Sequence, residues 1–333
     1  MKKNTGSGSE KLIVDAHCDT MLDVLNKKRL LGTIAGEGQA DLPRLREAGV
    51  KVQFFAIFIE SRYKPYSSVL RALQGIDAFY RELEANAHQM GLVTSQEDLD
   101  TLMEQDRLAA ILSIEGGEAL GGDLGVLRIF HRLGVRSLGL TWNQRNELAD
   151  GVGEQDAGGG LTSFGRQVVR EMNRLGMIVD LAHIAEKGFW DVLDLSSRPV
   201  IVSHANCRAL CDHPRNLNDR QMKALAEKGG CLGITFVPDF LGPDPSVETV
   251  VDHIEYAVQM MGIDHVGLGS DFDGVDRPVA GLETALALPN LIDLLEKRGF
   301  AEEEVAKITG GNWLRLLRDE LPRATPGGKC RCQ

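Results

Sequence analysis

The chain has 333 residues, 43% of them hydrophobic and 26% charged, and a formal net charge of −11. That length suits one large barrel or two average domains, with ample apolar material for a core. The acidic balance speaks against nucleic acid or an anionic membrane as partner, and no run reaches the roughly 18 apolar residues of a membrane span. Residues 1–10 are charged but lack the apolar stretch of a secretory signal, so they read as a flexible tail. The six cysteines, Cys18, Cys207, Cys211, Cys231, Cys330 and Cys332, form no even framework. Without a signal, this favours reduced thiols and a cytoplasmic location. Residues 323–333, with Cys330 and Cys332, read as a frayed C-terminal tail.

Between the tails, 11–322 reads as a single domain of alternating strands and helices. The apolar run at 12–14 leads into His17-Cys18-Asp19, and a second run covers 52–59. A helical pattern with a period near 3.6 follows at 68–90. The run at 110–114 ends in Glu115, before Gly116-Gly117. The run at 138–141 ends in Trp142-Asn143-Gln144-Arg145-Asn146. Ser163 is the expected N-cap of a helix through Arg174 that Gly176 stops. The run at 177–182 delivers His183 and the run at 200–203 delivers His204. Asn218-Asp219 opens a helix that ends before Gly229-Gly230. The run at 230–236, a helix over 247–261, the run at 265–270 ending in Asp271, and a helix over 288–298 complete the series. Near-continuous apolar runs suit strands covered on both faces, and intervening helices imply parallel pairing with right-handed crossovers. Eight such units give the expected fold: an α/β chain closed as a (β/α)8 TIM barrel.

Polar residues at the C-terminal ends of parallel barrel strands mark the active-site face. His17 and Asp19 lie two residues apart on an extended segment, so alternation turns both to one face. Glu is rarely buried without a partner, which makes Glu115 at a strand end unusual; its two oxygens could serve two ions. His183 and His204 end consecutive strands. His88, His131 and His253 fall in helical patterns, His213 in a loop, and His265 at the opposite end of a strand. Gly267 and Gly269 leave room for something bulky inside the barrel. Asp271 follows with the same parity; Asp273 is the competing candidate, better suited to a turn before Gly274.

Together, His17-x-Asp19, Ser113-Ile114-Glu115-Gly116, Asp180-x-Ala182-His183, Val202-Ser203-His204 and Gly269-Ser270-Asp271-Phe272-Asp273-Gly274 resemble the membrane (renal-type) dipeptidase family of zinc metallopeptidases, from about Leu12 to Leu317. The resemblance implies a barrel of the metal-dependent hydrolase type with two divalent ions, zinc or alternatively manganese or cobalt. His17, Asp19 and Glu115 would hold the first ion; Glu115, His183 and His204 would hold the second. Asp271 would handle the proton, so Asp271 and Glu115 are the implied catalytic residues. Arg215 would bind the substrate's C-terminal carboxylate. The implied reaction is hydrolysis of dipeptides, including those with a C-terminal D-residue, by a hydroxide shared between the ions. The expected partners are a dipeptide and a second copy of the chain, with neither nucleic acid nor membrane.

One position departs from the family. Relatives carry a His after Leu-Thr in the fourth strand, where this chain has Trp142. An indole donates one hydrogen bond and accepts no proton. Polarisation of the scissile carbonyl would then rest on the metal, Trp142, Asn143, Arg145 or Asn146, with Trp142 and Asn143 as the substrate-binding candidates. The alternative is another metallohydrolase on the same barrel, such as a deacetylase, lactonase or phosphotriesterase, since the fold alone does not separate them. Those enzymes usually show His-x-His with a bridging lysine where this chain has His-x-Asp and Glu115.

Overall fold

A computed structural model describes residues 12–323. The tail expected at 1–10, and 324–333 with Cys330 and Cys332, lie outside the described residues. Nine parallel strands form one sheet: β1 (Ile13–Cys18), β2 (Val50–Phe58), β3 (Met90–Leu92), β4 (Leu108–Glu115), β5 (Val135–Gly139), β6 (Ile178–Asp180), β7 (Val200–Ala205), β8 (Cys231–Ile234) and β9 (Val266–Leu268). The spatial order is β2-β1-β9-β8-β7-β6-β5-β4, and β2 pairs with β4 from Val52↔Ala109 to Phe58↔Glu115. That last pairing closes eight strands into the expected (β/α)8 barrel.

β3 is the ninth strand, which the sequence pattern did not predict. It pairs with the first part of β4, Met90↔Leu108 to Leu92↔Ala110, on the edge that β5 joins only from Leu112 onward. The helix expected over 68–90 therefore ends early, at Ala85. Asn86 follows it, its side-chain amide donating to Glu82 O at 2.8 Å, and His88 lies in a turn rather than a helix. The expected N-cap Ser163 is also corrected. Thr162 caps that helix, its Oγ1 accepting from Gly165 N at 2.9 Å, a contact worth ~1 kcal/mol. Gly176 ends the helix as expected, at φ +70. Asn218 and Gln221 form a reciprocal cap on the helix Asp219–Glu227, and Val247–Met261 forms as expected.

The apolar residues divide between two clusters. One lies between the strands and the surrounding helices. The other lies inside the barrel, where Val14, Val52, Phe54, Ile111, Ile178 and Ile201 meet Trp313 and Leu317 from the helix Asn312–Glu320. Trp313 fills the space that Gly267 leaves, since a Cβ there would stand 2.2 Å from Trp313 Nε1. The indole donates to Leu268 O at 3.0 Å. Contacts of this helix and the turn before it with Leu12 and Arg198, which precede β1 and β7, place it across the N-terminal end of the barrel. The opposite end is left for the site.

Candidate active site

Every residue expected to hold metal arrives at the C-terminal end of the barrel. His17 is the last residue but one of β1 and Asp19 follows the strand, Glu115 ends β4, His204 lies in β7, and His183 and Asp271 come just after β6 and β9. The pairing of β1 slips between Asp15 and Cys18, yet His17 Nε2 and Asp19 Oδ2 still meet at 3.8 Å. His17 Nε2 is 3.6 Å from Glu115 Oε2 and 3.8 Å from Asp271 Oδ1. The other carboxylate oxygen, Glu115 Oε1, is 2.9 Å from His183 Nε2 and 3.8 Å from His204 Nε2. The two imidazoles approach at 2.8 Å between Nε2 atoms. His183 and Asp271 both have left-handed backbones, at φ +67 and +63. For non-glycine residues such conformations cost of order 1–3 kcal/mol and cluster where function demands them.

Both far ring nitrogens on the imidazole side are held. His183 Nδ1 donates to Asn143 Oδ1 at 2.7 Å. His204 Nδ1 donates to Ser203 Oγ at 2.8 Å, and Ser203 donates in turn to Asp180. Asp180 also accepts from the backbone of Ala182 and Ser203, each at 3.0 Å. Fixing Nδ1 as donor leaves each Nε2 lone pair facing inward, as a metal ligand requires. Behind β1, Asp15 accepts from Ser270 N and Ser270 Oγ, each at 2.7 Å, which ties the first strand to the last.

The electrostatics agree with this division. Burial, then nearby positive groups, hold His183 and His204 well below the usual imidazole range. Burial also opposes charge on His17, but Glu115, Asp19 and Asp271 outweigh it and push His17 up to about 10. Glu115 is raised by burial and then by Asp19, and Asp271 is raised chiefly by burial.

These residues fit divalent cations. His17 Nε2 and Asp19 Oδ1 are buried without a hydrogen-bond partner. The ligand atoms of His17, Glu115 and His204, and those of His17, Asp19 and Asp271, each lie within 4.8 Å of one another. Two ligands of one zinc ion stand roughly 3.3 Å apart, so the 3.6–3.8 Å spacings around His17 are too long for hydrogen bonds and near those of a shared ion. An all-nitrogen-and-oxygen donor set suits zinc, manganese or cobalt.

Arg215 is buried, not solvated, and pairs with neither Asp212 nor Asp219. Its guanidinium donates to His204 O at 2.9 Å and lies 5.3 Å from the Phe240 ring centre, while its Nε has no partner. Burial lowers its pKa to about 10, opposed by Asp271 and Glu115, so it stays charged at neutral pH. Trp142 is half-buried against Phe58 and His183, with ring centres at 5.3 and 5.9 Å. Asn143, the other substrate-binding candidate, has its side-chain oxygen on His183. Arg145 and Asn146 are loop residues: Arg145 pairs with Asp150, while Asn146 binds Glu118 at 2.9 Å and the backbone of Leu140 and Leu148.

Sequence reasoning did not identify Lys64 or Glu118, which pair at 2.6 Å beside the site. Lys64 Nζ stands 5.0 Å from the Trp142 ring centre. No periodic pattern marks a lysine in the loop after β2. Its place beside Glu118 and Trp142 shows only once β2, β4 and β5 lie side by side.

The family model for membrane dipeptidases, peptidase family M19, matches residues 8–325. The chain is 38% identical to Dipeptidase tcpJ of Claviceps purpurea over 294 residues, 85% of this chain and 69% of that protein. It is 36% identical to Dipeptidase 3 of Homo sapiens over 288 residues, 84% of this chain and 58% of that one. A metallopeptidase from Rhodobacter sphaeroides, solved with a phosphinate mimic of the dipeptide L-Ala-D-Ala, superposes with a TM-score of 0.88 at 30% identity, over 94% of this chain and 100% of that one. With the barrel, the converging His, Asp and Glu ligands and these relatives in agreement, the chain belongs to the membrane dipeptidase family, peptidase family M19, and is a metal-dependent dipeptidase.

Proposed function

We propose that the site takes two divalent ions, zinc by preference, and cleaves dipeptides that include those with a D-residue at the C-terminus. The observation that carries this reading is the Glu115 carboxylate. One oxygen faces His17 at 3.6 Å and the other faces His183 at 2.9 Å and His204 at 3.8 Å, as a ligand shared by two ions would. The phosphinate ligand of the Rhodobacter sphaeroides relative supports the D-residue.

His17, Asp19 and Glu115 would hold one ion; Glu115, His183 and His204 would hold the other. When bound, the ions bring a water towards neutral pKa and polarise the peptide carbonyl. Asp271 takes the proton of the attacking water and passes it to the leaving amine. Its raised pKa suits that exchange. Arg215 holds the C-terminal carboxylate through charge-assisted hydrogen bonds, which restricts substrates to short peptides. Trp142 forms the wall where relatives have an imidazole.

The location in this reading is cytoplasmic, supported by Cys18, Cys207, Cys211 and Cys231 being free thiols. The assembly is a homodimer, supported by Leu70 and Leu73, exposed side by side on the helix Ser68–Ala85. Metal analysis of the zinc-replete protein, followed by a panel of L,L- and L,D-dipeptides, tests the site. Two ions per chain and turnover of both series are expected. One ion, or no cleavage of L,D-dipeptides, overturns the corresponding half of the proposal.

A further inference from the structure

Asp273 does more than shape a turn. Its side chain is 2% exposed and forms an ion pair with Arg29, itself buried. Its carboxylate accepts from Thr20 Oγ1 at 2.5 Å, Gln39 N at 2.7 Å and Ala40 N at 3.3 Å. In return, Asp273 N donates to Gln39 Oε1 at 2.7 Å, and Gln39 Nε2 donates to Val275 O at 3.1 Å. Thr20, Arg29, Gln39 and Ala40 all belong to the segment that follows β1.

Two functional carboxylates stand at the ends of this connection. Asp19 immediately precedes Thr20, and Asp271 lies two residues before Asp273. Asp19 N donates to Phe272 O at 2.8 Å. Both carboxylates crowd Gly274, where an added Cβ would stand 2.2 Å from Asp271 Oδ1 and 2.4 Å from Asp19 Oδ2. Backbone bonds from Asp19 N to Phe272 O and from Asp271 N to His17 O bring the two segments together, and Asp273 clasps the residues that follow Asp19.

We propose that Asp273 is a positioning residue that sets the Asp19–Asp271 pair, and with it the ion on the His17 side, through Thr20, Gln39 and Arg29. The inference rests on the two-ion reading above. The test is zinc titration of the metal-depleted full-length chain by calorimetry. Asp273→Asn removes the ion pair and leaves the buried Arg29 with only Asp23, at 3.3 Å, as a charged partner, so it could fail to fold. Thr20→Val removes the hydroxyl, whose short bond is to Asp273 at 2.5 Å beside longer contacts to Ala40 O at 3.4 Å and Cys18 Sγ at 3.5 Å, and leaves the ion pair in place; Thr20→Ser restores the hydroxyl.

In Thr20→Val, one of the two zinc sites should weaken by about tenfold or more, the usual loss when a ligand's support is removed. The other site should stay within about twofold of wild type. The kcat should fall about tenfold with KM little changed, and Thr20→Ser should recover both. A Thr20→Val protein with both sites and kcat at wild-type values overturns the inference. So does equal weakening of both sites alongside a lowered Tm, which is the signature of loop packing alone. A wild-type chain that takes up one zinc would sink the two-ion reading itself.

Discussion

The two sides of the metal site are built differently. On the imidazole side, His183 and His204 have their outer nitrogens fixed by Asn143 and Ser203. Burial keeps both rings neutral, so their ligand atoms are ready before any ion arrives. On the carboxylate side, His17 Nε2 and Asp19 Oδ1 are buried without partners, and the surrounding acids drive a proton onto His17. A cation must replace that proton. One half of the site is therefore preorganised by hydrogen bonds, and the other is poised by repulsion that an ion relieves.

The substitution that tests this division most sharply is Asp271→Asn. Asn keeps the shape but cannot accept a proton, so kcat should fall by ~10² or more while zinc content stays close to wild type. Steady-state kinetics with metal analysis on the same sample checks it. Loss of one ion along with activity would make Asp271 a ligand of the carboxylate side rather than its proton carrier.

Arg215→Met should have the next largest effect. Loss of a buried charge-assisted contact corresponds to roughly a ten- to hundredfold rise in KM for dipeptides. Dipeptide amides, poor substrates of the wild type, should lose little more. Equal losses for free acid and amide would show that Arg215 only braces His204 through its backbone oxygen.

Asn143→Ala probes the preorganised half. Freeing His183 Nδ1 should weaken one zinc ion by about tenfold, the low end for removal of such a support. Competition with a chelator would measure it. No change in affinity would mean that Trp142 and packing alone hold the ring.

Trp142→His should have the smallest effect on turnover and the clearest effect on selectivity. A shift of more than ~1 kcal/mol between large and small side chains is expected across a dipeptide panel. A uniform change over the panel would reduce Trp142 to a packing residue.

The barrel, its eight strands and the convergence of His17, Asp19, Glu115, His183 and His204 at one end are legible because each rests on a local pattern: an apolar run followed by a polar residue. The three-residue β3 carries too little pattern to separate from the preceding helix, which led Met90 to be read as helical. Thr162 and Ser163 are both sound caps, and only the backbone decides between them. The bond of Asn143 to His183, 40 positions along the chain, has no trace in local sequence. The Asp273 clasp joins residues more than 230 positions apart and is visible only in three dimensions. Long-range hydrogen bonds that orient functional groups leave no periodicity to read.

The helix Asn312–Glu320 plugs the floor of the barrel, with Trp313 set into the gap at Gly267. A ribosome delivers these residues after all nine strands. Until then, the inward-facing side chains of β1, β2, β4, β6 and β7 have no lid beneath them, and the nascent barrel presents an open apolar mouth. Chaperone engagement during synthesis should therefore persist until Trp313 has cleared the exit tunnel. The metal end, assembled from strand tips above the plug, waits on the turns of Asn312–Glu320 for a rigid base.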